Sequence, residues 1–385
     1  MRTAAVSRAS ISVRATLVIL VNLALIIIIL AAAEVYARHL QSISAAYSGG
    51  HPAMCEPDDH RIWRYRSGLD FSYQAPEFVI QIRTNADRLR SEPIDNSNRN
   101  PLVLFIGDSF TFGWGVQENR RFSEVIRDKL VKELGRPIRI INAGHWMYTF
   151  DQQLVLLKEL LTKYRPQVVV QGLYWPHLRT LFGHELVYDK GNKLISVAHP
   201  GLKVDEFGVL KFRLDWLERP LLNSQLVALA ARSVLNANLV HAAADPETYM
   251  MPGRHDNDEL WTLAGNLLSE TAAVIRSSGA VYIPFYVPTN VEIAESFWSS
   301  SWNKPGPPDG IDVSLPFRLF EQMMSKMGEQ LLDVTVPMRE QGGSQFYFQR
   351  DPHWNEEGHH FVGEVLAHAV FRSLPSTDPT SRSTK

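Results

Sequence analysis

The sequence predicts an α/β fold of three layers: a central, largely parallel sheet with helices on both faces, preceded by a transmembrane helix. Three observations predict it. Continuous apolar runs of strand length recur along the chain, amphipathic helical stretches alternate with them, and one long charge-free run stands near the N-terminus.

The charge-free run, Ala15 to Ala33, reads ATLVILVNLALIIIILAAA. About 19 residues rising 1.5 Å each span roughly 28 Å, close to the hydrocarbon thickness of a bilayer. Arg2, Arg8 and Arg14 precede it and no acid does. Residues 1–14 are therefore expected in the cytoplasm and the bulk of the chain on the periplasmic, extracytoplasmic side. A cleaved signal peptide is the competing reading, with Ala31-Ala32-Ala33 as its site. The apolar run exceeds the usual 7 to 15 residues of a signal core, which favours an uncleaved single-pass anchor.

Residues 34–100 read as a stalk and a small, partly extended section with a candidate strand at Phe78 to Ile82. The polar run Asp95 to Pro101 marks a boundary. The main domain is expected over 101–373. Leu102 to Ile106 has the continuous apolarity of a buried parallel strand. Glu118 to Leu134 follows with helical spacing through Phe122, Val125, Ile126, Leu130 and Leu134, stopped by Gly135-Arg136-Pro137. Ile138 to Ile141 reads as a second strand. Asp151 to Tyr164 reads as a helix with Asp151 as N-cap, and Gln167 to Leu173 as a third strand.

The alternation breaks over 178–256, an apparent insertion with a candidate helix at Ser224 to Val240. It resumes with a helix at Glu259 to Ser278, a strand at Ala280 to Val287, and helices at Leu315 to Met327 and Glu356 to Ser373. Residues 374–385 form a polar tail.

Composition excludes some functions. The net charge of -2, without a basic stripe, gives no support for a nucleic-acid partner. One cysteine, Cys55, cannot form an internal disulfide. No metal is expected, because H-E-x-x-H and Cys/His ligand spacings are absent, and the adjacent His359 and His360 face different ways on a helix. No cofactor motif is present.

Two short motifs can carry chemistry. Phe105-Ile106-Gly107-Asp108-Ser109-Phe110 ends a buried strand and enters a loop with Gly113 and Gly115. Ligands bind beyond the carboxyl ends of strands in open parallel sheets, so Ser109 stands where a nucleophile is useful. Thr111 rules out a G-x-S-x-G elbow. Alone, the motif reads more readily as a turn in which Asp108 and Ser109 satisfy backbone donors.

The second motif is Asp351-Pro352-His353-Trp354-Asn355. Pro352 favours an extended Asp351, and side chains at i and i+2 of an extended segment face the same way. A carboxylate beside an imidazole fixes its tautomer. Asn355 suits the N-cap of the final helix, with Glu356 and Glu357 in its first turn. Trp114, Trp146, Trp175 and Trp354 fall near these motifs, either as aromatic platforms for a sugar or as ordinary rim packing.

Taken together, the motifs resemble those of the SGNH (GDSL-like) hydrolase family, whose first block is Gly-Asp-Ser and whose last is an Asp/His pair. The similarity runs from about Leu102 to Leu173 and from about Ala280 to Leu366, and is most specific over Gly107 to Val116. It implies a flavodoxin-like sandwich and a serine esterase with Ser109 as nucleophile, His353 as base and Asp351 as its orienter. It further implies an oxyanion hole from the backbone N–H groups of Ser109 and Gly144, the latter within Asn142-Ala143-Gly144.

Two departures stand out. The asparagine that the family places after the third strand is missing. Tyr174-Trp175-Pro176-His177 stands there, and His177 is the candidate replacement donor. Asp351 lies two residues before His353 rather than three, with Arg350 at the third position, which is similar to alginate-type O-acetyltransferases. The leading expectation is a membrane-anchored serine esterase or deacylase acting on ester bonds, with O-acetylated cell-envelope glycans as candidate substrates. A polysaccharide O-acetyltransferase and a catalytically inactive binding scaffold are the alternatives.

Overall fold

A computed structural model describes residues 16–36, 54–178, 184–198, 202–204, 210–212, 258–302 and 305–374, with Leu181 and Met250. Two compact units are present. In one, helix α1 (Thr16–Tyr36) has a mean hydropathy of 2.9 and none of it is buried. At 21 residues it is long and apolar enough to cross a bilayer.

The other unit opens with two antiparallel hairpins. The first pairs β1 (Cys55–Asp58) with β2 (Ile62–Tyr65), the second β3 (Asp70–Gln74) with β4 (Val79–Arg83). Trp63, Tyr65, Ile80 and Ile82 are buried in the main core, so this part of the N-terminal section is built into the domain.

Next come β5 (Leu102–Gly107), the short helix α2 (Ser109–Phe112), α3 (Phe122–Leu134), β6 (Arg139–Gly144), α4 (Phe150–Tyr164) and β7 (Val168–Leu173). Two further hairpins join β8 (Glu185–Tyr188) to β9 (Leu194–Ala198) and β10 (Leu202–Val204) to β11 (Leu210–Phe212). Then follow α5 (Asp258–Ser277), β12 (Val281–Tyr286), α6 (Asn290–Ile293), α7 (Ser296–Trp302), α8 (Leu315–Lys326), β13 (Leu332–Asp333), α9 (Thr335–Glu340) and α10 (Glu356–Ser373).

The central sheet has the order β13-β12-β7-β5-β6, and every pairing in it is parallel. Numbered along the chain, this is the doubly wound order 2-1-3-4-5. Each residue of β5 and β7 is buried, because helices cover both faces and no polar alternation is needed. Helix α3 packs on α10 and α4 on α5. Gly363 permits the first of these contacts, since a Cβ there would lie 2.6 Å from Val125 Cβ.

The parallel α/β expectation holds, with local differences. Asp151 is not the N-cap of α4. Thr149 is, through a capping box with Gln152, while Asp151 lies in the first turn and pairs with His184 at 2.6 Å. The helix expected from Glu118 is broken at Arg121, whose buried guanidinium pairs with Glu124 while its backbone is extended (φ -69°, ψ 152°). The expected helix at Ser224 to Val240, the N-terminal residues 1–14 and the tail from Pro375 lie outside the described residues.

Candidate active site

The strand order reverses at β5: the chain runs from β5 to β6 on one side and returns to β7 on the other. A crevice opens beyond the carboxyl ends of strands at such a point. Ser109 follows β5 there, and Tyr174 to His177 follow β7.

Local chemistry explains how Ser109 is held. Asp108 caps α2, its Oδ1 accepting the Phe110 N–H at 3.0 Å. Gly107 is required because a Cβ would lie 2.2 Å from Thr111 Oγ1. Gly113 ends α2 at φ 80°, a conformation open to glycine at little cost. Ser109 is the first residue of this helix and only 3% exposed.

His353 reaches Ser109 from the segment before α10. Its Nε2 lies 2.7 Å from Ser109 Oγ, and its Nδ1 lies 2.5 Å from Asp351 Oδ1. The segment bends, where Pro352 led to the expectation of an extended Asp351. Asp351 Oδ1 also accepts the His353 backbone N–H at 3.0 Å, a local turn that curls the carboxylate back beneath the imidazole. Asp351 Oδ2 accepts the Trp114 indole N–H at 3.3 Å. Asn355 caps α10 as expected, accepting from Gly358 N–H.

Electrostatics favour an ionised Asp351. Burial opposes its charge, but the His353 hydrogen bond and charge outweigh burial and hold the carboxyl below its ordinary range. Asp108 is the opposite case. Burial raises it, against the pull of His177 and the Phe110 N–H bond, and its Oδ2 is buried without a hydrogen bond.

The expected oxyanion donor Gly144 is corrected. Its N–H is taken by Asn142 Oδ1 at 3.1 Å. The glycine is there for packing: a Cβ would sit 2.1 Å from Phe112 N. Three residues later Met147 has φ 59°, the third position of a turn closed by Tyr148 N–H to His145 O at 3.2 Å. Glycine normally fills a positive-φ position of that kind, so no sequence signal marked Met147. His177 stands beside the site with Nδ1 3.6 Å from Asp108 Oδ2, beyond hydrogen-bond range. Burial lowers its pKa, against the Asp108 charge.

Of the four tryptophans, Trp175 and Trp354 are wholly buried and structural. Trp114 stacks with Trp146 at 6.1 Å between ring centroids and 21° between planes, and only Trp146 is half-buried. His359 is buried, its Nδ1 accepting the Phe122 N–H at 3.3 Å, while His360 is exposed. Among the described residues, no three His, Cys, Asp or Glu side chains converge as metal ligands do.

No family model matches the chain, and no curated protein does. Several solved structures align with part of the chain. The crystal structure of TesA is 13% identical with a TM-score of 0.38, over 71% of this chain and 99% of that one. The acetyl xylan esterase AlAXEase is 12% identical with a TM-score of 0.40, over 70% of this chain and 99% of that one. A lipase/acylhydrolase from Enterococcus faecalis is 12% identical with a TM-score of 0.40, over 72% and 99%.

Proposed function

We propose that the chain is a membrane-anchored serine esterase. The observation that carries this reading is the continuous relay Asp351–His353–Ser109, with contacts of 2.5 and 2.7 Å. Ser109 Oγ attacks the ester carbonyl as His353 Nε2 takes its proton, and Asp351 stabilises the imidazolium. Collapse of the tetrahedral intermediate breaks the bond to the alcohol, which receives that proton from His353. Water then attacks the acyl-serine by the same route, releasing the acid and restoring Ser109.

The oxyanion needs donors at the rim. We assign the Ser109 N–H at the start of α2 and the Met147 N–H. Neighbouring Trp146 and Tyr148 have their N–H groups engaged by Tyr65 Oη and His145 O. Holding Met147 in a left-handed conformation costs about 1–3 kcal/mol, a cost that concentrates at functional sites. His177, whose Nδ1 stands 3.6 Å from Asp108 Oδ2, is the side chain proposed in place of the expected asparagine.

Helix α1, with three arginines and no acid before it, supports an anchor whose catalytic domain lies outside the cytoplasm. Acylated envelope glycans are the substrate class we favour, since half-buried Trp146, backed by buried Trp114 next to His353, suits a sugar face. Turnover of p-nitrophenyl acetate by the purified protein tests the reading. Ser109→Ala is expected to lower kcat by at least about 10³-fold, and full activity in that variant would overturn the proposal.

A further inference from the structure

The two loops of the relay are far apart in sequence, 244 residues separating Ser109 from His353. Neither belongs to the β3–β4 hairpin, yet that hairpin is bonded to both. At its tip, where Ala75 N–H meets Phe78 O at 2.9 Å, stands Glu77. Its carboxylate accepts three consecutive backbone N–H groups: Gln349 on Oε1 at 2.9 Å, and Arg350 and Asp351 on Oε2 at 2.9 and 2.8 Å. Three amides converging on one point form a concavity suited to an anion, and a carboxylate filling it makes charge-assisted bonds. Beside Glu77, the Phe78 ring packs 5.1 Å from Phe348 and 6.0 Å from Trp114.

Strand β4 of the hairpin is tied to the loop that follows α2. Gln117 Oε1 accepts Gln81 N–H at 3.2 Å, and Gln117 Nε2 donates to Val79 O at 3.0 Å. Buried Arg90 donates to Gln81 O from Nη2 and to Phe112 O and Gly113 O from Nη1. One short hairpin thus spans the loop that ends α2 and the loop that carries the Asp/His pair.

We propose that Glu77 is a positioning residue for Asp351 and His353, and that the hairpin is a brace setting the reach of the imidazole to Ser109. This rests on the esterase reading above. The chain of contacts is direct: Glu77 fixes the Asp351 N–H, and Asp351 Oδ1 fixes both the His353 backbone and its ring. A displacement of about 1 Å in a reacting group can cost up to about 100-fold in rate.

The test uses full-length protein in detergent with p-nitrophenyl acetate as probe. Glu77→Ala removes the whole acceptor and is expected to lower kcat about 30- to 100-fold. Glu77→Gln keeps one oxygen and is expected to fall about 3- to 10-fold, with KM within about threefold and a near-parental thermal midpoint in both. Graded kcat loss at constant KM supports positioning. Parental kcat in both variants, with Ser109→Ala inactive, refutes the brace while leaving the esterase reading intact. An active Ser109→Ala defeats the esterase reading itself. Loss of kcat that tracks unfolding in both variants refutes positioning in favour of stability alone. If Glu77→Ala does not fold, the kcat of folded Glu77→Gln decides.

Discussion

Asp351→Asn isolates the charge in the relay while nearly preserving shape. In the native protein one oxygen, Oδ1, receives both the His353 N–H and the ring Nδ1, and the other receives the Trp114 indole N–H. An asparagine has one acceptor for these two sides. With its oxygen toward His353 it keeps two bonds but turns its NH2 against the Trp114 donor. Reversed, it satisfies Trp114 but opposes the His353 backbone N–H and forces the ring proton onto Nε2, facing Ser109. The first orientation keeps more bonds, and its catalytic defect is the lost attraction for the imidazolium. Two unit charges 2.5 Å apart at an effective dielectric constant of about 20 attract by about 6–7 kcal/mol. The Asp351 side chain is 24% exposed, so screening reduces this to about 4–5 kcal/mol. At 1.36 kcal/mol per decade, kcat is expected to fall about 10³- to 10⁴-fold. Stopped-flow release of p-nitrophenol gives kcat, and a thermal midpoint within a few degrees of the parent shows that the fold survives. Adding Trp114→Phe removes the opposed donor, so the double variant should lose less than the product of the two single losses. An Asp351→Asn enzyme within tenfold of the parent would refute the electrostatic reasoning.

Gly144→Ala should be costly although the Gly144 N–H is taken by Asn142 Oδ1. Its Cβ would meet Phe112 N at 2.1 Å, backbone that cannot yield without moving α2 and Ser109. A loss of about 1–3 kcal/mol by urea unfolding is expected, together with reduced kcat; parental stability would contradict the packing. Stability should also fall in mild acid. Burial depresses His145 and His359 to about 3 in the folded protein, whereas an unfolded histidine titrates near 6.5. The unfolded chain therefore binds more protons between those values. Stability is full above about pH 6.5 and is lost as pH falls toward 3, at about 1.4 kcal/mol per pH unit for each histidine. Unfolding at pH 7.5 and 5.5 should differ by about 3 kcal/mol from this pair, and His359→Gln should remove roughly half of that difference. An unchanged difference in that variant would contradict the assignment.

Most long elements were legible in the sequence. The last helix was read at Glu356 to Ser373, its observed bounds, because Asn355 and the acids after it mark the start as clearly as periodicity marks the body. Strand β13 escaped because two residues, Leu332 and Asp333, hold no pattern. Ser109, Asp351 and His353, which the structure brings together, were legible as candidates because each sits in a short motif whose chemistry is local. Gly144 was misread because a glycine needed for close backbone approach looks, in a sequence, like one that frees an amide for a ligand. Glu77 and Met147 left no trace at all. The first acts across 274 residues, and the second occupies a turn position where glycine would have been the signal.

Covalent labelling of the intact protein by a fluorophosphonate, read by mass spectrometry, tests the relay most directly. The expected result is one adduct per chain on the peptide containing Ser109, lost in His353→Ala and after denaturation. No adduct on the folded protein, or an adduct on another residue with Ser109 unmodified, would contradict it.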